Sequence, residues 1–415
     1  MKIRIKKRNI RQWATFFAVG VLMVVRIPIL MYLAQAIFLL CVIGTLRFKR
    51  LRKSDGYIAC NIGFIAMSAF SVLYSSNFNN SLSSMISILQ IFAISFLLFY
   101  SCSNEREFDD IIWLFTKLGW VFVVYILVAT SPQQWREILA TNTNLSSDAG
   151  RLGPSIGMHT NMCGAVLSIL IMFSLYSYFA NKKKSDLLQT GILMCCLFLT
   201  KSRMSLLITA CGAAVYFAIY KRLGVKQIIR IAAMIGVLVA LVIVSFNNEF
   251  LYNLYGNRVE SLLFLFTGEA KTDASVTGRL ALQQRAIEVF LEHPLFGVGI
   301  GDFRSYTVNL GGVSGYYAHN NFLELLADVG IIGTILYYTP YVIALVKTRA
   351  IARNAGEKKR MLYNLLFVLL IMRLTSDYAQ VSYLYDSSQI LLSLIFVGIK
   401  LEGTTKTRMA INYVG

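Results

Sequence analysis

Charged residues are scarce in this chain. They make up 15% of its 415 residues, against roughly 25% in soluble proteins. Apolar residues reach 56%, and apolar runs of about 17–25 residues, long enough to cross a hydrocarbon core of about 30 Å, recur along the whole sequence. The runs are continuous, whereas the strands of a membrane β-barrel alternate, so a barrel is excluded. The composition predicts an α-helical membrane protein.

Acidic residues are also few, with 21 against 40 basic ones and a formal net charge of +19. A nucleic-acid partner is not expected, because the basic residues form short clusters between apolar runs and no cluster is interleaved with stacking aromatic residues. Basic clusters of this kind mark cytoplasmic loops. Their distribution predicts that both termini are cytoplasmic.

Patterns for binding metals, forming disulfides or hydrolysing ATP are lacking. The 7 cysteines lie in or beside apolar runs without the spacing of zinc ligands, so we interpret them as packing residues. There is no Walker A sequence, nucleophile elbow or cleavable signal peptide. The sequence therefore predicts neither a metal nor another cofactor, and the energy for any reaction must arrive with the substrate.

The predicted fold is all-α, a polytopic helix bundle of about 12 transmembrane helices in a single integral membrane domain, 1–415. Two extracytoplasmic loops are expected: a first long loop over 131–160 and a main loop with short helices over 247–318. The sequence shows no inverted repeat, which weakens the hypothesis that the protein is a transporter. The apolar runs lie at 13–25, 29–46, 57–74, 82–100, 111–130, 161–180, 187–200, 204–220, 228–246, 322–346, 361–375 and 381–399.

Histidine is rare, and one of the three differs from the others in its surroundings. His319 precedes Asn320 at the start of an apolar helix, at a level that water reaches. Imidazole titrates near neutral pH, so His319 is a candidate general base for a hydroxyl group. His159 and His293 are interpreted as structural.

Arginines are expected on the same outer face, where a guanidinium group can bind a phosphate bidentately. Arg151 lies in a glycine- and proline-rich turn, Arg203 between two short helices, and Arg279 and Arg285 on an amphipathic segment that ends at Glu292. For Arg203 alone, contact with lipid headgroups is an equal alternative. Arg373 and Asp377, four residues apart, are expected to form a structural ion pair.

Glycines 297, 299 and 301 lie in the turn 294–301, which follows a helical segment rather than a strand. This context rules out a dinucleotide fingerprint. We predict instead a tight re-entrant turn that exposes backbone N–H groups, with Gly297 and Gly299 contributing to substrate binding.

These motifs together resemble the O-antigen ligase and O-antigen polymerase superfamily of bacterial membrane glycosyltransferases (the Wzy and WaaL type). The resemblance covers about 151–338. It rests on Arg279 followed by Glu292-His293-Pro294-Leu295-Phe296-Gly297-Val298-Gly299, on His319-Asn320 with Gly330-Ile331-Ile332-Gly333-Thr334, on Thr200-Lys201-Ser202-Arg203, and on the segment from Arg151 to Asn161. The chain departs from the family pattern at Arg285, where many members carry an aromatic residue, and in a short, glycine-rich loop before His319.

The resemblance implies transfer of a glycan from an undecaprenyl-diphosphate carrier to an acceptor hydroxyl at the outer face of the bacterial cytoplasmic membrane. It implies catalytic roles for His319, Arg279 and Arg203: the histidine would activate the acceptor, and the arginines would hold the diphosphate. Arg151, Asn320, Arg285, Gly297 and Gly299 would bind substrate. Expected partners are the lipid-linked oligosaccharide donor, the glycan acceptor, membrane lipids, and a chain-length regulator or flippase.

The favoured function is a polymerase that joins the repeat units of O-antigen, capsule or exopolysaccharide. The alternatives are a ligase that moves finished glycan to lipid A core or another acceptor, a lipid-linked oligosaccharide transporter, and a scaffold of the assembly complex.

Overall fold

The computed structural model describes residues 10–43, 56–139, 150–220, 274–307 and 315–412. This part of the chain contains 13 α-helices and no strand, so the all-α class is confirmed. The helices are α1 (Ile10–Val24), α2 (Pro28–Ile43), α3 (Tyr57–Val72), α4 (Phe78–Ser101), α5 (Glu105–Ala129), α6 (Pro132–Leu139), α7 (Thr160–Asn181), α8 (Lys184–Leu199), α9 (Arg203–Tyr220), α10 (Ala274–Glu292), α11 (Asn321–Asn354), α12 (Glu357–Asp377) and α13 (Asp386–Asn412).

Each predicted apolar run coincides with one of these helices, except 228–246, which lies outside the described residues. Five described helices are long and apolar enough to cross a membrane, namely α4, α5, α7, α9 and α11. Shorter apolar helices begin at Ile10, Pro28 and Tyr57. The membrane class is therefore supported, while the number of about 12 spans stays a prediction.

The predicted loops contain regular structure of their own. The amphipathic α6 lies in the 131–160 segment, followed by a short 3₁₀ helix at Pro154–Ile156. In the segment 247–318, the described part holds α10 and a second 3₁₀ helix, Phe303–Thr307. The 3₁₀ helix is short, as predicted for the main loop, whereas α10 has 19 residues. The extracytoplasmic position of both loops stays a prediction.

Glycines allow the helices of the bundle to approach closely. A Cβ atom at Gly164 of α7 would lie 2.3 Å from the Ser205 hydroxyl of α9, and one at Gly212 of α9 would lie 2.3 Å from the Met372 sulfur of α12. Small residues of this kind let helix backbones approach in a membrane, where packing rather than water drives association.

Polar contacts sort the turns between helices into two groups at opposite ends of the bundle. One end is here called the motif end. Three turns lie there: the α3–α4 turn binds Asp302, the α8–α9 turn binds Arg151, and the α12–α13 turn binds Asn321. At the other end, Arg11 of α1 binds Glu107 of α5, and Lys359 of α12 binds Glu402 of α13. The topology predicted from the apolar runs and the basic clusters groups these turns in the same way.

Candidate functional site

His319 lies at the motif end, directly before α11, in an unusual backbone conformation. Its φ is +52°, a left-handed value that few non-glycine residues adopt. On one side, the Ala318 N–H donates to the buried Glu324 carboxylate at 2.5 Å. On the other, the Asn320 side chain caps α11 by accepting from the N–H groups of Phe322 and Leu323. The conformation is thus held from both sides, as expected where surrounding contacts override local strain.

The surroundings of His319 keep its imidazole neutral. Burial, the positive charge of Arg279 and the neighbouring His159 together lower the pKa of His319 from 6.5 to about 4. An imidazole with this pKa is unprotonated at neutral pH and can accept a proton. Because Arg279 contributes to this lowered pKa, Arg279 and His319 lie within electrostatic range of each other, although they are 40 positions apart in sequence.

Arg279 reaches this position because α10 packs against the elements that carry His319. The buried residues of this small core are Ala286 and Val289 of α10 with Val298, Phe303, Ala318 and Ala327. Arg285, two turns along α10, donates to the Tyr306 carbonyl at 3.3 Å and pairs with Glu288 at 3.0 Å. These contacts favour an anchoring role for Arg285, and its predicted role in substrate binding finds no support in them.

The Arg151 segment and the α8–α9 turn form a second part of the motif end. Arg151 donates from Nε to the Thr200 carbonyl at 3.2 Å and from Nη2 to the Lys201 carbonyl at 3.4 Å. The Ser202 hydroxyl donates to the Asn161 side chain at 2.9 Å, which fixes the turn that leads into Arg203. Arg151 therefore caps the end of α8, and the half-buried Arg203 begins α9 beside the start of α7.

His159 joins the two parts of the site. Its Nδ1 accepts from the Asn161 N–H at 3.3 Å and so caps α7, a structural role of the kind predicted. The side chain is also one of the groups that lower the pKa of His319, which sequence reasoning missed. His159 therefore lies within electrostatic range of His319.

The prediction that turn 294–301 exposes its N–H groups is wrong. The N–H groups of Val298 and Gly299 donate to the Ala327 and Asp328 carbonyls of α11, at 2.9 and 2.8 Å. Those of Gly301 and Phe303 donate to the Asp328 carboxylate, each at 2.9 Å. The amides are used up inside the protein, so they do not face a ligand, and the contacts give no support to Gly297 and Gly299 as substrate-binding residues.

The two glycines have a packing role instead. A Cβ atom at Gly297 would lie 2.4 Å from the Asp328 carbonyl carbon, and one at Gly299 would lie 2.5 Å from the Ser75 side chain. Both adopt positive φ values, +66° and +124°. They allow the turn to reach a break in α11 at Gly330, where the Ile331 N–H donates to the Pro294 carbonyl at 2.9 Å. Turn and broken helix satisfy each other's backbone groups.

Two buried carboxylates that sequence reasoning missed organise this region. Asp328 accepts from the two turn amides and from the Tyr383 hydroxyl at 3.2 Å. Asp302 accepts from the Ser76 N–H at 2.6 Å and the Ser305 hydroxyl at 2.7 Å, which ties the turn to the α3–α4 connection. A carboxylate within an apolar membrane helix costs free energy, so such residues usually have a specific role. On this ground Asp328 could have been singled out from the sequence.

Asn321 and the predicted ion pair fix the helices that pack next to the site. Arg373 binds Asp377, as predicted, and also the Ser388 hydroxyl at 2.8 Å. Asn321 accepts from the N–H groups of Ser382 and Tyr383 at 2.8 and 2.9 Å. The start of α11 is thereby tied to the α12–α13 connection. Among the residues that the structure describes, no group of histidine, cysteine and acidic side chains has the arrangement of a metal site.

Comparison with known families identifies the region that carries these motifs. Residues 189–338 match the family model described as O-Antigen ligase (Wzy_C), a range that includes Arg203, Arg279 and His319. A search of curated proteins finds no significant match. The match confirms the resemblance seen in the motifs. The chain is a helical membrane protein whose residues 189–338 match the O-antigen ligase family, and this match supports the resemblance to the O-antigen ligase and polymerase superfamily.

Proposed function

We propose that the protein is a polysaccharide polymerase, which transfers glycan from an undecaprenyl-diphosphate carrier to a sugar hydroxyl at the outer face of the bacterial cytoplasmic membrane. The observation that carries the proposal is the pairing of a neutral His319 with Arg279 in the O-antigen ligase domain. The pairing supplies the two groups that glycosyl transfer from a diphosphate needs, an acceptor of protons and a cation for the leaving group.

The proposed reaction is a single displacement at the anomeric carbon of the donor glycan. The acceptor hydroxyl oxygen forms a bond to this carbon, and its proton passes to the unprotonated imidazole of His319. The bond between the carbon and the diphosphate oxygen breaks, and the electron pair leaves with the diphosphate. Arg279 and Arg203 stabilise the negative charge that develops there. The lipid diphosphate is a good leaving group, so neither ATP nor a metal ion takes part.

The low pKa of His319 fits a cycle in which the donor binds first. The positive charge of Arg279 lowers the pKa in the free protein. A diphosphate bound at Arg279 would offset that charge, and the pKa of His319 would rise towards its ordinary value. The imidazole would therefore become a stronger base only when the donor is in place, which limits unproductive proton uptake.

In this proposal the motif end faces outwards and both termini are cytoplasmic. The sequence pattern supports this orientation, because the clusters of basic residues fall on the connections of the opposite end. The lipid tail of the donor would remain in the bilayer while its diphosphate reaches the arginines. A chain-length regulator or a flippase would act beside the polymerase, and membrane lipids surround it; a nucleic-acid partner is not part of the proposal.

A ligase is the second candidate, because the description of the matched family names O-antigen ligase. Its donor chemistry would be the same, and only the acceptor would differ. A transporter for lipid-linked oligosaccharide would use the arginines to bind its cargo but would have no need of a proton-accepting imidazole.

The proposal is tested by polysaccharide banding from cells that carry His319→Ala, with wild type and Arg279→Ala beside it and membrane insertion verified. If the protein is a polymerase, long polymer should disappear in His319→Ala while single repeat units still reach the final acceptor. Accumulation of finished glycan on the lipid carrier would replace the polymerase with the ligase. A wild-type pattern from His319→Ala would reject the catalytic assignment and favour a transporter.

A further inference from the structure

Arg304 is an exposed cation beside His319 that neither the motifs nor the proposed reaction assigns. It lies in the 3₁₀ helix Phe303–Thr307, directly after the glycine turn. The backbone on both sides of it is fixed: the Phe303 N–H is bound by the buried Asp328, and the Thr307 hydroxyl donates to the Arg304 carbonyl at 2.8 Å. The side chain therefore projects from a rigid base, which is a property of built binding sites.

The Arg304 guanidinium lies over an aromatic ring that in turn contacts the imidazole. Its central carbon is 5.8 Å from the centre of the Tyr317 ring, and the Tyr317 and His319 ring centres are 4.3 Å apart. A guanidinium attracted to the face of a ring by a cation–π interaction keeps its N–H groups for another partner. Arg304 thus neighbours Tyr317, and Tyr317 in turn contacts His319, at the motif end.

The in-plane N–H groups of Arg304 are not taken up by the described part of the chain. There, Arg285 pairs with Glu288, and Arg151 donates to backbone carbonyls, whereas the Arg304 guanidinium contacts the Tyr317 ring. The carboxylates of Glu324 and Asp328 lie within electrostatic range, but they are buried and accept from backbone N–H groups. The positive charge of Arg304 is therefore presented to solvent beside the candidate base.

We propose that Arg304 and Tyr317 form an anion-binding subsite for a phosphate or carboxylate group of a substrate bound at His319. A planar fork of N–H donors matches both groups bidentately. Two sources have this chemistry, the diphosphate of the lipid-linked donor and an acidic sugar of the acceptor glycan. The subsite rests on the proposed function for its location beside the reacting atoms, but its binding of anions can be measured without turnover.

The test uses the full chain in lipid nanodiscs and compares wild type with Arg304→Gln and Arg304→Lys. Arg349→Gln is the matched control, because Arg349 also stacks on a ring, with 5.7 Å to the centre of Phe367, and lies towards the opposite end of α11. Binding of inorganic pyrophosphate and of an oligosaccharide that contains a uronic acid is measured by calorimetry. The same oligosaccharide with its carboxylate reduced to an alcohol shows whether charge is recognised.

Loss of one charge-assisted pair predicts that affinity falls about 10-fold or more in Arg304→Gln, partly recovers in Arg304→Lys, and is unchanged in Arg349→Gln. Weaker binding of pyrophosphate assigns the subsite to the donor. Weaker binding of the acidic oligosaccharide, with the reduced one unaffected, assigns it to the acceptor. Equal affinities of wild type and Arg304→Gln for both probes would overturn the subsite. Binding that depends on Arg304 in a protein that transfers no glycan would overturn the proposed function instead.

Discussion

The two ends of the helix bundle use their charged residues differently. At the opposite end, cations pair with carboxylates or carbonyls: Arg11 binds Glu107 at 2.6 Å, and Lys400 donates to the Phe99 carbonyl at 2.6 Å. In the O-antigen ligase domain at the motif end, the carboxylates of Asp302 and Asp328 bind backbone N–H groups instead.

Two cations of the domain meet other partners instead. Arg279 lies near the His319 imidazole, and Arg304 lies over the Tyr317 ring. Two ion pairs at this end lie outside the matched domain, Arg26 with Asp386 and Arg373 with Asp377. They stabilise the packing of the helices there. Charges at the opposite end maintain the bundle, whereas we propose that Arg279 and Arg304 of the domain bind a substrate that carries negative charge. The following experiments test this division.

The largest effect is expected for Arg279→Gln, with Arg285→Gln as the matched control on the same helix. Loss of a cation that stabilises the leaving group predicts a fall in kcat of about 100- to 1000-fold. Arg285→Gln removes a half-exposed pair with Glu288 and should change kcat less than about 3-fold. Both are measured as glycan transfer from a lipid-diphosphate donor. Equal losses in the two variants would contradict the division between substrate-binding and anchoring cations.

Gly330→Ala should destabilise the motif end and the fold with it. The residue has φ +65°, and a Cβ atom would lie 2.3 Å from the Leu295 carbonyl oxygen, which is backbone and cannot move aside. We expect a loss of about 3 kcal/mol or more in the free energy of unfolding, seen as a lower melting temperature in detergent.

Gly278→Ala is the control for this change, since nothing lies within 4 Å of an added Cβ atom there. Its melting temperature should equal or exceed that of wild type, because alanine favours the helical conformation. A normal melting temperature for Gly330→Ala would show that the break in α11 is not needed.

Glu324 is expected to position His319 through the Ala318 N–H. Glu324→Met removes the acceptor and should lower kcat about 10-fold with little change in the KM for donor, since the imidazole loses its fixed direction. Glu324→Gln keeps an acceptor and should recover most of the activity.

Glu107→Met is the matched control, because Glu107 is also buried in a first helical turn and accepts from an earlier N–H, that of Ser103 at 2.8 Å. Under the division proposed for the two ends, Glu107→Met lowers only the stability, so kcat per folded molecule should be unchanged. A fall in kcat for Glu107→Met as large as for Glu324→Met would assign both residues to stability alone.

The smallest effect is a shift in pH dependence. His319 is neutral above its pKa of about 4, so kcat/KM should be constant through neutral pH and fall only as the pH approaches about 4. Arg279→Gln removes a positive neighbour and should raise the pKa of His319, so the histidine NMR titration midpoint moves to higher pH. A midpoint that stays in place would show that Arg279 does not act on the imidazole.

The same pKa predicts a stability change with a definite sign. The folded pKa of His319 lies below the value of about 6.5 expected for the unfolded chain, so the unfolded state binds more protons between these values. The contribution of neutral His319 to stability is present above about pH 6.5 and is lost as the pH falls towards about 4.

The sequence was sufficient for the helices and for the residues that meet at the site. Long apolar runs mark the membrane helices because each must bury its backbone polar groups internally. It also placed His319 and Arg279 in one site, through motifs that resemble those of a known family. The structure brings their segments together through α10, whose packing against turn 294–301 no local pattern could reveal.

The prediction of exposed N–H groups in turn 294–301 failed because tertiary hydrogen bonds override a local motif, while the predicted roles of Arg151 and Arg285 stay predictions. Glycines at 297 and 299 look like a ligand-binding turn in sequence, but the Gly297 N–H donates to the His293 carbonyl and the Gly299 N–H donates to the Asp328 carbonyl of the broken helix α11. Arg151 and Arg285 look equivalent to Arg279 by residue type. They differ because carbonyls and carboxylates that only the folded chain supplies already engage them.

The most direct test of the account is glycan transfer by the purified protein in nanodiscs, with His319→Ala compared with His293→Ala. Release of undecaprenyl diphosphate and growth of the acceptor are measured together. The account predicts that both fall about 100-fold or more in His319→Ala and remain at the wild-type level in His293→Ala, since removal of a general base costs at least this much. Transfer by His319→Ala at the wild-type rate would contradict it.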